Sequence, residues 1–166
     1  MLVSFVPDDF VVPRPLAGPD FWLEPLGPQH NEDDYRAWTS SIAHIRATPG
    51  FEGRSWPVPD MTLEENLGDL ERHAADFAGR SGFTYTVHAT GSDEVIGCVY
   101  IYPDTSGAAV DASDASEASE ASDASVADVR SWVSADRASL DVALYEAVSE
   151  WLRSAWPFTT VSYATR

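Results

Sequence analysis

The hydrophobic positions in the first third of the chain follow a helical period after a proline-rich start. Six prolines in the first 28 residues exclude a helix there and leave room only for a short strand at about 21–26. Between about residues 31 and 47, large apolar residues recur at spacings of three and four, which predicts one amphipathic helix. These residues are Tyr35, Trp38, Ile42 and Ile45.

The middle of the chain changes from a helical period to the alternation of a strand. Thr62 and Glu65 form a capping-box pattern, and the apolar positions after them predict a second helix over 62–78. After a glycine-containing break, residues 83–88 alternate between apolar and polar, which predicts a half-buried strand. The continuous apolar run at 95–102 predicts a strand buried on both faces. The two strands are expected to form a hairpin.

A low-complexity segment interrupts this order at 104–128. It contains the run DASDASEASEASDAS and has no basic residue. Such a composition cannot bury apolar area, so it predicts a flexible acidic surface loop. A calcium site is the alternative, but the segment lacks the central Gly and terminal Glu of the helix-loop-helix calcium pattern. The loop is the preferred interpretation.

The last part of the chain returns to regular structure. Residues 129–133 predict a strand, and apolar positions from Leu140 to Ala155 lie on one face of a helix, with Ser139 as its N-cap. Pro157 ends this helix, and 159–163 predict a final strand. The order strand-helix-helix-strand-strand-strand-helix-strand predicts one α/β (α+β) domain over 1–166, an open mixed sheet with a Pro-rich arm at 1–20.

The charge of the chain excludes two classes of partner. It carries 27 acidic residues against 10 basic ones, all of them Arg, for a formal net charge of −17. Nucleic acids and anionic membranes need a basic face, so neither is an expected partner. Cys98 is the single cysteine, lies in an apolar run and cannot form an internal disulfide. With no apolar stretch of signal or membrane length, a cytoplasmic location is expected.

The sequence lacks the motifs of several kinds of catalytic site. The four histidines show no short metal-binding spacing among themselves or with Cys98, so no metal site is predicted. The glycine-rich phosphate loops and the nucleophile elbow of hydrolases are also missing from the sequence. Most of the tryptophans fall on helix or strand faces and are expected in the core.

Two segments resemble the GNAT superfamily of acyl-CoA N-acyltransferases. GSDEVIGCVYIYP looks like the hairpin of the family's second and third strands, and ADVRSWVSADRASLDVALYEAVSEWL looks like its fourth strand, acyl-CoA loop and third helix. The resemblance covers roughly residues 21–164. It implies a mixed sheet and transfer of an acetyl group from acetyl-CoA to a small primary amine.

The resemblance also implies where the cofactor would bind. A turn of this kind lets backbone N–H groups and a helix N-terminus approach the pyrophosphate, and the strand before it hydrogen-bonds to the pantetheine arm. The positions that match are Trp132, Val133, Arg137, Ala138, Ser139 and Leu140. However, Ser139 and Asp141 stand where the family has glycines, and Asp141 places a carboxylate near an anionic ligand.

The family's general base is matched at the start of the fourth strand. The segment Ala127–Asp128–Val129 corresponds to the family's A-E-[IL], which makes Asp128 the expected base, with His88 and Tyr102 as alternatives. Members of the family continue past the fifth strand with elements that line the acceptor site. The alternative function is therefore a non-catalytic binding or assembly module of this fold, completed by a homodimer.

Overall fold

The computed structural model describes residues 4–104 and 126–166, and these residues form a five-stranded sheet in chain order. The first four strands are antiparallel, and the last two are parallel to each other. The predicted hairpin and the mixed sheet are both confirmed. The strands are β1 (Phe21–Pro25), β2 (Phe83–Ala89), β3 (Val95–Pro103), β4 (Val126–Val133) and β5 (Thr160–Tyr163).

Helices pack on both sides of the sheet in the predicted order, except that three α-helices instead of two lie between β1 and β2. A 3-10 turn at Pro28–His30 precedes the first helix, and another at Ala135–Leu140 precedes the last. The α-helices are α1 (Asn31–Thr39), α2 (Ile42–Ala47), α3 (Leu63–Ala78) and α4 (Asp141–Ala155). At the start of α3 the Thr62 hydroxyl accepts from the Glu65 N–H, and the Glu65 carboxylate accepts from the Thr62 N–H, so the predicted capping box is confirmed.

Three boundaries differ from the sequence prediction. The single helix predicted over 31–47 is two helices, because Thr39 and Ser40 donate their hydroxyls back to backbone carbonyls and end α1. Ser139 lies inside a 3-10 turn instead of capping α4, whose N-cap position is Leu140. The segment predicted as a loop over 104–128 gives its last three residues to β4. The other predictions on that segment lie outside the described residues.

The early start of β4 has a packing reason. Ala127 is fully buried, opposite Pro103 of β3 on one side and Val161 of β5 on the other. An acidic, alanine-rich sequence gives no local sign of such burial, because Ala127 becomes a core residue only when two neighbouring strands cover it.

Two apolar clusters occupy the two faces of the sheet. The larger one lies under α4 and the N-terminal arm, where Val6, Leu144, Val148 and Leu152 are essentially inaccessible. The smaller one lies under α1 and α3 and contains Trp38, Ile45 and Trp132, all without solvent exposure. Within the described ranges, no helix has the length and apolar character needed to cross a bilayer.

The parallel pair β4–β5 separates before β4 ends. Its register runs from Val126 opposite Thr160 to Val129 opposite Tyr163, and β4 continues for four more residues without a β5 partner. We call the space beside residues 130–133 the strand gap. On the other edge, β3 comes so close that Gly97 faces the backbone of Trp132 and Val133.

Candidate functional site

A cavity of about 440 Å³ lies on the α1 and α3 side of the sheet, against β3 and β4. We call it the α1–α3 cavity. Part of its wall is aromatic, from Phe51, Trp56 and Tyr100, and the rest carries charged and polar side chains. The charged ones are Asp34, Arg54, Asp69, Arg72 and Arg130, together with His73. Cavities that combine an apolar wall with a few converging polar groups are the usual form of small-molecule sites.

Asp34 is a buried carboxyl in the wall of the α1–α3 cavity. Its Oδ2 accepts from Asn66 Nδ2 at 3.1 Å, and the Cys98 thiol points to its Oδ1 at 3.8 Å. Burial raises the pKa of Asp34 to about 6, although the hydrogen bonds from Asn66 and Cys98 oppose the shift. A carboxyl that titrates near neutrality can accept a proton and release it again, so Asp34 is chemically suited to general base work.

The raised pKa of Asp34 predicts how stability depends on pH. The folded chain holds this proton more tightly than a carboxyl with the ordinary pKa of 3.8 does. The free energy of unfolding therefore falls as the pH rises from about 4 to 6. Within this pH range the free energy of unfolding falls by up to about 1.4 kcal/mol per pH unit, and above it this effect stops. Urea unfolding of Asp34→Asn should lack this slope, whereas Asp33→Asn, an exposed neighbour, should keep it. Equal slopes in both variants would contradict the assignment.

His73, Tyr102 and Asp76 form a hydrogen-bonded chain at the edge of the cavity. The Tyr102 hydroxyl donates to Asp76 Oδ2 at 2.8 Å. A proton on His73 Nδ1, which lies 2.8 Å from the Tyr102 oxygen and 3.0 Å from Thr84 Oγ1, satisfies both of these contacts. Burial and the neighbouring Arg72 lower the pKa of His73 to about 4, which keeps its ring neutral near pH 7. Among the described residues, none bonds to His73 Nε2. This nitrogen is therefore an acceptor available to a ligand.

The structure places two of the predicted base candidates next to each other. Asp128 lies directly across the β3–β4 pair from Tyr102, and its Oδ2 accepts from Arg130 Nη2 at 2.7 Å. Tyr102 and Arg130 both line the cavity, with Asp128 beside them. Burial and the hydrogen bond to Asp76 raise the pKa of Tyr102, so its phenol keeps its proton and acts as a donor.

The third candidate, His88, lies elsewhere, in a cluster with Glu24 and His30. Both rings place Nε2 on the same carboxylate oxygen of Glu24, at 2.7 Å from His88 and 3.0 Å from His30. Burial raises the pKa of Glu24, but the bonds from the two imidazoles outweigh this and lower it. Sequence spacing gave no sign of the cluster, because the three residues come from β1, the 3-10 turn and β2.

This cluster could hold a metal ion by residue type, since its ligand atoms lie within 4.8 Å of one another. The hydrogen bonds favour protons there. His30 Nδ1 accepts from the Gly27 N–H, so its proton is on Nε2, and His88 Nδ1 donates to the Asp93 carbonyl. The Nε2 atoms of both histidines also face the Glu24 carboxylate, and each of these contacts needs a proton where a metal would bind. The cluster ties β1 to β2, away from the cavity.

The side chain of Arg166 lies in the strand gap, next to the predicted cofactor positions Trp132 and Val133. Its Nη2 donates to the Ser131 carbonyl at 2.8 Å, and its Nε donates to Asp141 Oδ2 at 2.6 Å. The rings of Tyr145 and Tyr163 lie 5.7 and 5.8 Å from the guanidinium. Arg166 therefore neutralises the carboxylate of Asp141 and occupies the Ser131 carbonyl at the open edge of β4.

The predicted phosphate-binding turn is the 3-10 segment at Ala135–Leu140. Ala138 and Ser139 are exposed on it, and Arg137 bonds to Glu94 at 2.8 Å. A second cavity of about 530 Å³ lies beside this end of β4 and has four carboxylates and one guanidinium in its wall. An anionic cofactor would therefore meet an acidic surface on one side of the turn.

Comparison with known proteins supports the fold. No protein-family model and no curated protein matches the sequence. Among solved structures, RimL, a ribosomal L7/L12 alpha-N-protein acetyltransferase, superposes with a TM-score of 0.60 at 10% identity, over 89% of this chain and 72% of that one. The aminoglycoside acetyltransferase AAC(6')-Ib with coenzyme A gives 0.56 at 18% identity, over 86% and 73%.

A further structure, the ribosomal-protein-S5-alanine acetyltransferase of Vibrio fischeri, gives a TM-score of 0.58 at 11% identity, over 86% of this chain and 69% of that one. The chain spans only 66% of a matched Vibrio cholerae structure. These likenesses confirm the GNAT fold predicted from the two motifs. At such identities they establish the architecture and leave the activity to be inferred from the site.

Proposed function

We propose that this chain is an N-acetyltransferase that binds a small primary amine in the α1–α3 cavity and acetylates it from acetyl-CoA. One observation carries the proposal. Arg130 lines the cavity and is also the first residue of β4 beyond its last β5 partner, so the cavity lies beside the strand gap. An amine in the cavity and an acyl group entering along β4 would thus meet.

The fit of the cofactor depends on Arg166. The unpaired edge of β4 around Trp132 and Val133 offers the backbone groups that a pantetheine arm would use, and Arg137 would reach the phosphates after leaving Glu94. The Arg166 side chain must move out of the strand gap before that arm can enter. When bound, acetyl-CoA supplies a thioester activated for attack by an amine.

The cavity residues would prepare the amine. His73 Nε2 accepts a hydrogen bond from the amine nitrogen and holds it in place. A carboxylate first takes one proton from the ammonium, and the neutral nitrogen then bonds to the acyl carbon. The carbon–sulfur bond breaks, the nitrogen loses its second proton, and the thiolate leaves as a thiol. Asp34 lies in the cavity wall and Asp128 beside it, and both remain candidates for this role. The hydroxyl proton of Tyr102 bonds to Asp76, so Tyr102 would donate to the leaving thiolate only after its hydroxyl turns away from that carboxylate.

Calorimetry with acetyl-CoA and an assay for released thiol with a panel of primary amines test this proposal. We expect binding at millimolar ligand or below and slow thiol release. Arg137→Ala should weaken acetyl-CoA binding by about tenfold, the value of one charged hydrogen bond. The exposed Arg153→Ala on α4 serves as the control. If neither the wild type nor Arg166→Ala binds acetyl-CoA, the transferase proposal is wrong.

The position of Arg166 favours a second function, that of a binding module without transfer. A filled strand gap and a carboxylate at Asp141 are both expected of a chain that has lost its cofactor but kept the cavity. Such a chain would bind amines and release no thiol in the same experiments. A sedimentation run that shows only monomer at high concentration would argue against completion of the module by a homodimer.

A further inference from the structure

The α1–α3 cavity is richer in arginine than the rest of this acidic chain. Acidic residues outnumber basic ones by 27 to 10 in the chain, yet three arginines and two aspartates line this cavity. The arginines are Arg54 in the loop between α2 and α3, Arg72 on α3 and Arg130 on β4. Because they come from three separate elements, the fold itself brings them together.

Two of these guanidiniums are each paired with one carboxylate, and the third is paired with none among the described residues. Arg130 pairs with Asp128, and Arg72 pairs with Asp69 at 3.3 Å in an exposed contact of little strength. The side chain of Arg54 makes no hydrogen bond or ion pair within the ranges that the structure describes. In a chain with a net charge of −17, this placement gives the cavity a local preference for anions.

The rest of the wall is shaped for a ring. Phe51, Trp56 and Tyr100 lie in mutual contact, with ring centroids 6.1 to 6.5 Å apart. Phe51 is buried, whereas Trp56 is only partly covered and belongs to the cavity surface. Aromatic walls of this kind bind flat apolar groups through dispersion and ring contacts.

We propose that the acceptor is a small amine that also carries an anionic oxygen group, a carboxylate or a phosphate, and a planar apolar group. The arginines bind the anion, the aromatic wall holds the ring, and His73 Nε2 accepts from the amine. This inference rests on the proposed function for the amine. The anion preference itself depends only on the cavity, so it can be tested without acetyl-CoA.

The test compares matched ligands by calorimetry in the absence of acetyl-CoA. Phenylalanine should bind at least about tenfold more tightly than 2-phenylethylamine, which lacks only the carboxylate, because one charged hydrogen bond contributes about that much. The affinities of phosphoethanolamine and ethanolamine are compared in the same way to test the phosphate group. The two comparisons together identify which anion is preferred. Equal affinity within both pairs would overturn the proposal.

Variants assign the preference to the arginines. Arg54→Gln should reduce the phenylalanine preference about tenfold, and it should leave thermal stability unchanged because the side chain is exposed. Arg153→Gln, on the far helix α4, should leave the preference intact. A preference that persists in Arg54→Gln and Arg130→Gln would refute this site. If it is lost in those variants while no thiol is ever released, the ligand class stands and the transferase proposal fails.

Discussion

Replacing Arg166 with Met should lower the free energy of unfolding by about 3–5 kcal/mol, because it leaves a buried charge without its partner. Arg166 is 2% exposed, and its Nε bonds to Asp141 at 2.6 Å. The other oxygen of Asp141 is buried without a hydrogen-bond partner in the described structure, so this carboxylate depends heavily on the guanidinium. Urea unfolding near pH 7 measures the loss.

The matched control is Arg153→Met, which removes an exposed ion pair within α4 and should cost less than about 1 kcal/mol. The double variant Asp141→Leu/Arg166→Met removes both charges and should be more stable than Arg166→Met alone. If the single and double variants unfold alike, the ion pair does not carry this energy.

Removal of the Arg166 guanidinium, which destabilises the fold, is expected to strengthen acetyl-CoA binding. With the Met side chain in place of Arg166, the Ser131 carbonyl and the strand gap are no longer occupied by a guanidinium. We expect acetyl-CoA affinity to rise about tenfold in the double variant, since a charged hydrogen bond no longer has to be broken and the Asp141 charge is gone. An affinity equal to that of the wild type would show that Arg166 does not control entry.

Gly97→Ala should destabilise the chain by about 3 kcal/mol, at the upper end for overpacking, because there is no room for a methyl group. A Cβ at this position would overlap the carbonyl oxygen of Trp132 and lie 3.2 Å from the Cα of Val133. Both contacts are backbone, which cannot rotate away. The strands β3 and β4 would have to separate beside the strand gap.

Gly68→Ala provides the comparison, because a Cβ at Gly68, inside α3, would meet nothing within 4 Å. Alanine has the better helix propensity, so this variant should gain about 0.5–1 kcal/mol. Thermal and urea unfolding of the two variants should shift in opposite directions. A neutral Gly97→Ala would mean that the β3–β4 edge tolerates repacking.

The sequence was informative wherever a residue's role depends on its neighbours in the chain. The Thr62 and Glu65 box fixed the start of α3, and the run from Val95 predicted a buried strand, because capping and alternation are local. The sequence did not predict that α1 ends at Thr39. Serine and threonine hydroxyls often bond to carbonyls of their own helix, and they only sometimes end it. The order of the elements, together with the two segments that resemble the GNAT hairpin and acyl-CoA loop, was enough to predict the fold.

The candidate site could not be predicted in the same way. Asp34 stands in an acidic first turn that looks solvated, and its burial follows from Asn66 and Cys98, which lie 32 and 64 residues away. His73 keeps a neutral ring mainly because it is buried in a cavity wall that α3 shares with β3, and only secondarily because of the charge of its sequence neighbour Arg72. Contacts between residues that are far apart in the chain produce no recognisable spacing pattern in the sequence.

The sequence by itself determined the order of the strands and helices, the acidic character of the chain and the two substitutions at Ser139 and Asp141. Only the tertiary structure decided what Asp141 does. By bringing Arg166 to its carboxylate across 25 residues, the fold turned an unfavourable charge into a buried ion pair that fills the strand gap. Local pattern depends on neighbouring residues, whereas burial and charge pairing depend on which distant segments the sheet brings together.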